Sequence, residues 1–420
     1  MNAEIINIGD ELLIGQVVNT NAAWMAEQLS LAGFRTDQVT VVRDDRGHIL
    51  EALAGAEERA AIVLISGGIG PTGDDITKHT LCEFFNTRLV FSEEAYRDVE
   101  RLFTRRGISV TELNRMQAEL PKSCTAIPNK LGTARGMWFE KERSGGGKTI
   151  FVSMPGVPYE MKEMMAVHII PRLKEIFRPP FIRHRTLLTQ GIGESFLAAL
   201  IGPWEKALPG DIRLAYLPQP GIVRLRLSGE GGDEEILRIR IDEQLAALEK
   251  LIPDYFFGYN DDTLELVVGR LLMERGATLA TAESCTGGAV ARLITGVPGC
   301  SAWFKGSVVA YANEIKEKAL GVRPGTLATH GAVSEEAVRE MAAGVRERFG
   351  ADYALATSGI AGPDGGTPEK PVGTAWIAIA APDGVTARHY LFGEGRENNI
   401  RRTSLQALSL LRKKLLGRLK

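Results

Sequence analysis

The chain passes from a predicted strand to a predicted helix through Ala277-Thr278-Leu279-Ala280-Thr281-Ala282-Glu283-Ser284-Cys285-Thr286-Gly287-Gly288-Ala289. The first six residues form a short apolar run typical of a buried strand, and a helical pattern opens at Ala289. The hydroxyl and glycine residues between them therefore lie at a helix N-terminus, where unpaired amide N–H groups favour negative charge. Such a position can hold a phosphate or a developing oxyanion. The plainer alternative is a capped junction, because serine and threonine commonly cap helices.

A second serine, a tyrosine and a lysine follow at short spacing. Ser301 stands before the apolar segment 308–312, which predicts a strand carrying Tyr311, and Lys316 comes one turn later. A serine hydroxyl is a weak nucleophile, but a desolvated lysine can be neutral enough to act as its base. These residue types can therefore perform acyl transfer without a histidine. The alternative is a solvated Lys316 and a core Tyr311 with a hydrated hydroxyl.

A third segment is unusually rich in glycine and proline. It runs from Gly359 to Thr374, between predicted strands at 353–356 and 375–380. So many glycines and prolines fix backbone amides in unusual conformations and let a ligand approach closely. A connection between strands can be far shorter. The segment therefore predicts a binding loop.

The first 172 residues alternate strand and helix patterns, which predicts a doubly wound α/β domain. The apolar strand 61–65 ends in Ser66-Gly67-Gly68-Ile69-Gly70-Pro71-Thr72-Gly73-Asp74-Asp75-Ile76-Thr77. Ligands in this architecture bind beyond the carboxyl ends of the strands. Asp74 and Asp75 either cap the next helix or hold a hydrated divalent metal against a pyrophosphate. The residues predicted to bind phosphate here are Gly67, Gly68, Gly70, Thr72 and Thr77.

The sequence pattern changes after Arg178-Pro179-Pro180, and it divides the chain into three predicted domains at 1–172, 173–257 and 258–420. In the middle one, strands at 185–190 and 222–227 flank a helix that starts near Glu194, which predicts a small α+β module. The last domain carries the three segments described first. At 420 residues the chain is too long for one typical core.

Composition excludes some classes of protein. Lys and Arg number 50 against 52 Asp and Glu, for a net charge of -2, so there is no global basic surface for nucleic acid. The four cysteines show no CxxC pairing, which favours a reducing compartment over a disulfide framework. No apolar run approaches a membrane span and no basic leader opens the chain. We expect a cytoplasmic protein that binds neither membranes nor nucleic acid.

Together these segments resemble the CinA family of competence/damage-inducible proteins over essentially the whole chain. Further matches are Gly9-Asp10-Glu11-Leu12-Leu13-Ile14-Gly15, Asn19-Thr20-Asn21, Asn129-Lys130-Leu131-Gly132-Thr133-Ala134 and Gly191-Ile192-Gly193. The resemblance implies an N-terminal molybdopterin-binding-like domain, a KH-like middle module and a C-terminal α/β/α deamidase domain. One departure is Arg135, which stands where the family usually has proline before glycine.

For the C-terminal domain, the resemblance implies hydrolysis of the carboxamide of nicotinamide mononucleotide to a carboxylate and ammonia, without a cofactor. Ser301 is predicted as the nucleophile, with Lys316 and Tyr311 transferring protons, and Ser284 is the alternative nucleophile or a positioning hydroxyl. An oxyanion would be held by amides near Thr286 and Gly287. The residues predicted to bind substrate are Thr286, Gly287, Gly288, Gly359, Gly362, Gly365, Gly366, Thr367, Arg396 and Arg401.

For the N-terminal domain, the resemblance implies metal-dependent hydrolysis of ADP-ribose. The divalent metal would be held by Asp10 and Asp75, with Asp74 as a further candidate ligand. The expected partners are pyridine nucleotides, ADP-ribose and a second copy of the chain in a homodimer. Two alternatives are a binding protein of DNA uptake and an enzyme of molybdenum-cofactor assembly. An assay of ammonia released from nicotinamide mononucleotide separates the three hypotheses: the deamidase, the DNA-uptake protein and the molybdenum-cofactor enzyme.

Overall fold

A computed structural model describes residues 1–73, 75–105, 107–143 and 146–419. The chain forms two compact units. The first contains Met1–Arg183 with Glu230–Glu234, and the second contains His184–Gly229 with Glu235–Lys420. Most of the predicted middle module, residues 184–229 and 235–257, therefore belongs to the same compact unit as the C-terminal domain, whereas residues 173–183 and 230–234 belong to the first unit.

The first unit is built on a six-stranded sheet in the order β2-β1-β3-β8-β7-β6. Its first four strands run parallel, and β7 and β6 add an antiparallel edge. The central strand β3 is apolar at four consecutive positions and fully buried, as expected when helices cover both faces. Strands β4 and β5 pair with each other in a separate two-stranded sheet. The strands of the first unit are β1 Asn2–Ile8, β2 Arg35–Val42, β3 Ile62–Ser66, β4 Leu89–Phe91, β5 Glu119–Pro121, β6 Thr125–Ile127, β7 Gly136–Glu142 and β8 Lys148–Met154.

Helices pack on both faces of this sheet and give two separate cores. Ile5 and Leu64 face one core, whereas Ile6 and Val63 face the other, because alternate residues of a strand point to opposite sides. The predicted doubly wound α/β fold is confirmed. The helices are α1 Asp10–Leu13, α2 Thr20–Leu31, α3 Arg46–Arg59, α4 Thr77–Phe84, α5 Glu93–Arg105, α6 Glu112–Met116, α7 Pro158–Met164 and α8 Ile170–Phe177.

The second unit opens with the KH-like module, a four-stranded sheet in the order β10-β11-β9-β12 with two helices. Leu187 and Leu225 face those helices, while Leu188 and Phe257 on the other face join the core of the C-terminal domain. The module therefore has a core of its own on one face of its sheet and contributes to the core of the C-terminal domain with the other face. The elements are β9 Phe181–Gln190, α9 Glu194–Lys206, β10 Ile212–Gln219, β11 Ile222–Gly231, α10 Glu234–Leu251 and β12 Phe256–Tyr259.

The C-terminal domain has a five-stranded sheet in the order β14-β13-β15-β16-β17. Strand β13 runs parallel to both neighbours, and β16 and β17 are antiparallel. Helices cover both faces, which gives the expected α/β/α layers. The elements are α11 Leu264–Glu274, β13 Leu279–Glu283, α12 Ala289–Thr295, β14 Phe304–Val309, α13 Asn313–Leu320, α14 Pro324–His330, α15 Glu335–Phe349, β15 Tyr353–Gly359, β16 Thr374–Ala381, β17 Gly384–Leu391 and α16 Arg396–Leu415. Within the described residues, no helix combines the length and apolar character needed to cross a bilayer.

Candidate active site

Ser284 lies directly after β13, at the carboxyl edge of the three parallel strands. The last residue of β13, Glu283, pairs with Val309 of β14 and Thr357 of β15. The Ser284 amide then donates to the Thr357 carbonyl at 3.0 Å, and the Ser284 side chain is buried, with 8% of the residue exposed. Ligands of α/β sheets bind at this edge. The predicted strand, loop and helix therefore bring Ser284 to the expected place.

The buried carboxylate of Glu283 organises the loop that follows. It accepts hydrogen bonds from the Thr286 hydroxyl at 2.7 Å and from the amides of Gly288 at 3.0 Å, Val290 at 3.0 Å and Ala291 at 2.7 Å. The first amides of α12 are therefore already paired with a carboxylate of the same chain. This contradicts the expectation that the Gly288 amide is free to bind substrate.

Thr286 is also a structural residue. Its side chain is buried, and its hydroxyl is hydrogen-bonded both to Glu283 and to the Thr357 hydroxyl at 2.7 Å. The Thr286 hydroxyl is therefore already paired within the loop, whereas the predicted oxyanion contact concerned the amides near Thr286 and Gly287. Gly287 is exposed on the loop, and its amide donates to the Ser284 carbonyl at 3.1 Å.

We expect Glu283→Gln to lower the free energy of unfolding by about 1–3 kcal/mol, because the new amide group would face N–H donors and leave buried groups unpaired. Thermal denaturation of the full chain measures this change. The matched control is Glu347→Gln on α15, where the side chain is exposed. Equal melting temperatures for the two variants would contradict an organising role for Glu283.

Lys316 is a buried lysine beside the same strand end. Only 1% of it is exposed, and Nζ donates to the carbonyls of Ala310 at 2.8 Å and Tyr311 at 3.0 Å. The Ala310 amide in turn donates to the Glu283 carbonyl at 2.8 Å, so Lys316 lies next to the backbone that precedes Ser284. Within the described part of the chain, no carboxylate forms an ion pair with it.

Burial shifts the protonation equilibrium of Lys316 toward its neutral form. Burial lowers the pKa of Lys316, and the nearby Cys285 thiol opposes that shift only in part. A neutral amine has two N–H groups, which the two carbonyls accept, and one lone pair that is left for a proton. Burial also raises the pKa of Cys285 to about 12, which keeps this thiol protonated and makes it a poor nucleophile.

Ser301 lies at the opposite edge of the sheet. It is exposed in a single helical turn, Cys300–Ala302, before β14, and the start of β14 pairs with Leu279 at the start of β13. Lys316 contacts the chain beyond the other end of β14. The six residues of this strand span about 20 Å at roughly 3.3 Å each. The structure therefore contradicts the predicted pairing of Ser301 with Lys316 and Tyr311.

Tyr311 does not lie on a strand as predicted, because β14 ends at Val309. The residue is 61% exposed, and its hydroxyl accepts a hydrogen bond from Arg396 at 3.1 Å. Arg396 also donates to the Gly362 carbonyl at 2.8 Å. Arg396 therefore connects Tyr311 to the glycine-rich loop, at the edge of the sheet that carries Ser284 and Lys316.

The base of the glycine-rich loop is fixed by close packing. A Cβ atom at Gly359 would lie 2.5 Å from the Thr374 carbonyl oxygen and 3.2 Å from the Cys285 sulfur, so this position requires glycine. Gly362 has a φ of +88°, which glycine adopts without strain. Asn399 is 3% exposed and donates to the carbonyls of Ala361 at 3.0 Å and Gly393 at 2.9 Å. Asn399 was not predicted as a site residue from the sequence; the available signal is an asparagine, a weak helix former, inside a helical stretch.

The outer part of the loop is open to solvent. Gly365, Gly366 and Thr367 are exposed. Thr367 closes a turn with Lys370, since its amide donates to the Lys370 carbonyl at 2.9 Å and its hydroxyl accepts from the Lys370 amide at 3.1 Å. These residues are therefore available to a ligand at a position held by a rigid loop base.

Arg396 and Arg401 do not form a pair. Five residues separate them on α16, which corresponds to about 140° around the helix axis. Arg401 lines a different cavity, of about 540 Å³, between the KH-like module and the helices of the C-terminal domain. Arg396 and Arg401 were both predicted to bind substrate; of the two, Arg396 contacts Tyr311, and Arg401 lies at the other cavity.

The glycine-rich turn after β3 forms a tight site in the N-terminal unit. Gly67 and Gly68 have φ values of +117° and +64°, and a Cβ atom at Gly68 would lie 2.2 Å from the Thr77 hydroxyl and 3.2 Å from Asp44. Thr77 is fully buried, and its hydroxyl has no hydrogen-bond partner among the described residues. The Asp10 amide donates to the Asp44 carboxylate at 3.2 Å. Asp44 therefore belongs to this site, although it was not among the residues predicted from the sequence.

Asp75 does not cap helix α4. Its carboxylate accepts from the Thr72 amide at 2.9 Å and hydroxyl at 2.5 Å, and a Cβ atom at Gly70 would lie 2.5 Å from it. Asp74 lies outside the described residues. Among the residues that are described, no group of three His, Cys, Asp or Glu side chains converges as metal ligands. The carboxylates present therefore fit only a metal site in which the substrate's phosphates supply further ligands, as Mg²⁺ commonly uses.

Arg135 has a structural role in this protein. Its side chain is buried, and it forms ion pairs with Asp98 and with Glu94 at 3.1 Å. Both carboxylates belong to α5. The departure from the family's proline therefore introduces an anchor for this helix.

Three domain families match successive parts of the chain. They are the probable molybdopterin binding domain over residues 4–175, the damage-inducible protein CinA KH domain over 184–258, and the CinA C-terminal domain over 261–415. A CinA-like protein from Cytophaga hutchinsonii is 47% identical, and the match covers 98% of each chain. The chain belongs to the CinA family. The resemblance and the three-part α/β architecture predicted from sequence are thus confirmed.

Other CinA proteins are similar over the whole length. A CinA-like protein from Flavobacterium psychrophilum is 44% identical, with 99% of each chain covered. A protein named as a putative competence-damage inducible protein, from Caldanaerobacter subterraneus subsp. tengcongensis, is 42% identical, with 100% of this chain and 99% of the relative covered. The family therefore extends across both compact units.

Proposed function

We propose that the C-terminal domain hydrolyses the carboxamide of nicotinamide mononucleotide to nicotinate mononucleotide and ammonia, with Ser284 as nucleophile and Lys316 as its base. The observation that carries this proposal is the buried Lys316, whose amine binds two carbonyl oxygens beside the strand end that precedes Ser284. The nucleophile is therefore reassigned from Ser301 to Ser284.

The reaction proceeds through an acyl-enzyme. Ser284 Oγ attacks the carboxamide carbon while its proton passes to the lone pair of Lys316 Nζ. The C–N bond then breaks, and the leaving amine takes that proton and departs as ammonia. Water attacks the ester, again with Lys316 as base, and releases the carboxylate and the Ser284 hydroxyl. Atoms balance with water as the only other reactant, so no cofactor is required.

The nucleotide part of the substrate would contact the residues around Arg396. An arginine guanidinium suits a phosphate in geometry and charge. The Tyr311 oxygen accepts from Arg396, so its own O–H is left to donate toward the substrate. The open segment from Gly365 to Thr367 would cover the ribose and phosphate.

The direct test is incubation of the full chain with nicotinamide mononucleotide and assay of ammonia. We expect release of one ammonia for each nicotinate mononucleotide formed. Nicotinamide riboside, which lacks the phosphate, should show a higher KM because it loses the contact with Arg396. No ammonia from the mononucleotide would overturn the proposal and favour a binding role in DNA uptake or a role in molybdenum-cofactor assembly.

A second activity, metal-dependent hydrolysis of ADP-ribose, is proposed for the N-terminal unit. It is favoured by the positive φ of Gly67 and Gly68 and by the buried Thr77 hydroxyl, which together suit a phosphate group. Asp10 and Asp75 would hold the divalent ion. Such an ion polarises a phosphoryl oxygen and neutralises developing charge.

We expect Asp75→Asn to lower ADP-ribose turnover by at least about tenfold, because it removes an anionic oxygen ligand while keeping the size of the side chain. Turnover should also stop in the presence of a chelator. The matched control is Asp37→Asn on β2, where the carboxylate forms an ion pair with Arg35. Full turnover in Asp75→Asn, or turnover that the chelator leaves unchanged, would remove Asp75 from this role.

A further inference from the structure

A cavity of about 540 Å³ lies between the sheet of the KH-like module and the helices of the C-terminal domain. Its walls include the apolar residues Leu188 and Phe257 of the module, and Leu264 and Leu293 of helices α11 and α12. This volume is in the usual range for small-molecule sites, about 300–1,000 Å³. The cavity can therefore take a ligand with an apolar, planar part.

Three arginines line the cavity from three different elements: Arg224 on β11, Arg292 on α12 and Arg401 on α16. Among the described residues, none of them forms an ion pair with a carboxylate. Arg224 donates to the Asn260 carbonyl at 3.4 Å, and its Nε atom is buried without a hydrogen-bond partner in the described part of the chain. The three guanidinium groups are therefore available to an anionic ligand.

Carboxylates also line the cavity and restrict the kind of anion. Asp262 is occupied, because it pairs with Arg270 at 2.5 Å and accepts from the Tyr259 amide at 3.0 Å. Asp261, Glu265 and Glu397 also line the cavity. They would repel a bare inorganic anion, but they can accept hydrogen bonds from the hydroxyl groups of a ribose.

We propose that this cavity is a nucleotide-binding site, distinct from the site at Ser284. The arginines would bind a phosphate, the carboxylates the ribose hydroxyls, and the apolar walls a purine base. Neither Ser284 nor Lys316 lines the cavity.

The site is placed to affect the proposed deamidase. Ile400 lines this cavity and also the narrow space beside Cys285 and Asn399. The first turn of α16 carries Arg396 and Asn399, which hold the glycine-rich loop. A nucleotide in the cavity should therefore change the KM for nicotinamide mononucleotide. This consequence, unlike the binding itself, rests on the proposed function.

The test is calorimetric titration of the full chain with AMP, adenosine and inorganic phosphate. We expect saturable binding of AMP and much weaker binding of the other two. Arg224→Met and Arg292→Met should each raise the Kd for AMP by at least about tenfold, because each substitution removes charge-assisted hydrogen bonds to the phosphate. The matched control is Arg213→Met on β10 of the same sheet, an exposed arginine that does not line the cavity.

The outcomes separate this site from the deamidase. Ser284→Ala should bind AMP as tightly as the wild type, whether or not the chain releases ammonia. The proposal is overturned by absence of saturable AMP binding, or by equal weakening in Arg213→Met. It is also overturned if AMP and nicotinamide mononucleotide bind Ser284→Ala in a mutually exclusive way, because the cavity would then be part of the substrate site. Circular dichroism checks the fold of both arginine variants, which change different elements.

Discussion

Ser284→Ala is expected to lower the release of ammonia from nicotinamide mononucleotide by at least about 10³-fold, whereas Ser301→Ala should retain most of the wild-type rate. The reason is the position of each serine. Ser284 follows β13 at the edge where Lys316 is buried, and Ser301 precedes β14 at the other edge. Steady-state kinetics of the two single variants measures the contrast.

The Ser284→Ala variant should still bind the substrate although it no longer turns it over. A nucleophile contributes far more to the transition state than to substrate affinity, so Ser284→Ala should keep a similar Kd for the substrate. A slowly hydrolysed amide should leave a mass adduct on the peptide that contains Ser284. An adduct on Ser301 would return the nucleophile to the original assignment. Turnover in both alanine variants without any adduct would instead require attack by an activated water.

Much of the fold could be predicted because apolar runs and caps report local structure directly. The apolar residues 61–65 predicted a strand, and the structure places β3 at Ile62–Ser66 with all five residues buried. Ser334, a residue type that commonly caps helices, precedes α15, and its hydroxyl accepts from the Ala337 amide at 3.2 Å. Such signals depend on residues that are close in sequence. They can therefore be recognised without knowledge of the tertiary structure.

The site was harder to predict because it depends on which edge of the sheet each residue reaches. Ser301 is closer in sequence to Lys316 than Ser284 is, yet a full strand separates it from that lysine. The end of β14 at Val309 was also missed, because Ala310 and Ala312 continue the apolar pattern around Tyr311. In the structure the carbonyls of Ala310 and Tyr311 instead accept from Lys316, six and five residues later in the chain.

The helix N-terminus shows a further limit of sequence reasoning. The sequence predicts free amides near Gly288, and the motif itself contains Glu283, whose carboxylate binds them. Whether a side chain turns toward a helix end or away from it depends on the register of the strand. Glu283 shares the face of β13 with Leu279, on the side where α12 packs.

Lys316→Met is expected to lower the deamidation rate by about 10²–10⁴-fold, the usual contribution of a general acid–base group. The wild-type rate should fall as the pH decreases through the pKa of Lys316, because protonation fills the lone pair that accepts the serine proton. Burial places that pKa below the ordinary value for lysine, so the fall should come at a lower pH than a solvated lysine would give. This fall in rate at lower pH should be absent from the pH profile of Lys316→Met.

Lys318→Met on the same helix is the matched control, since Lys318 is 76% exposed and pairs with Glu314. An unchanged pH profile in Lys316→Met, or an equal loss of rate in Lys318→Met, would exclude Lys316 as the base.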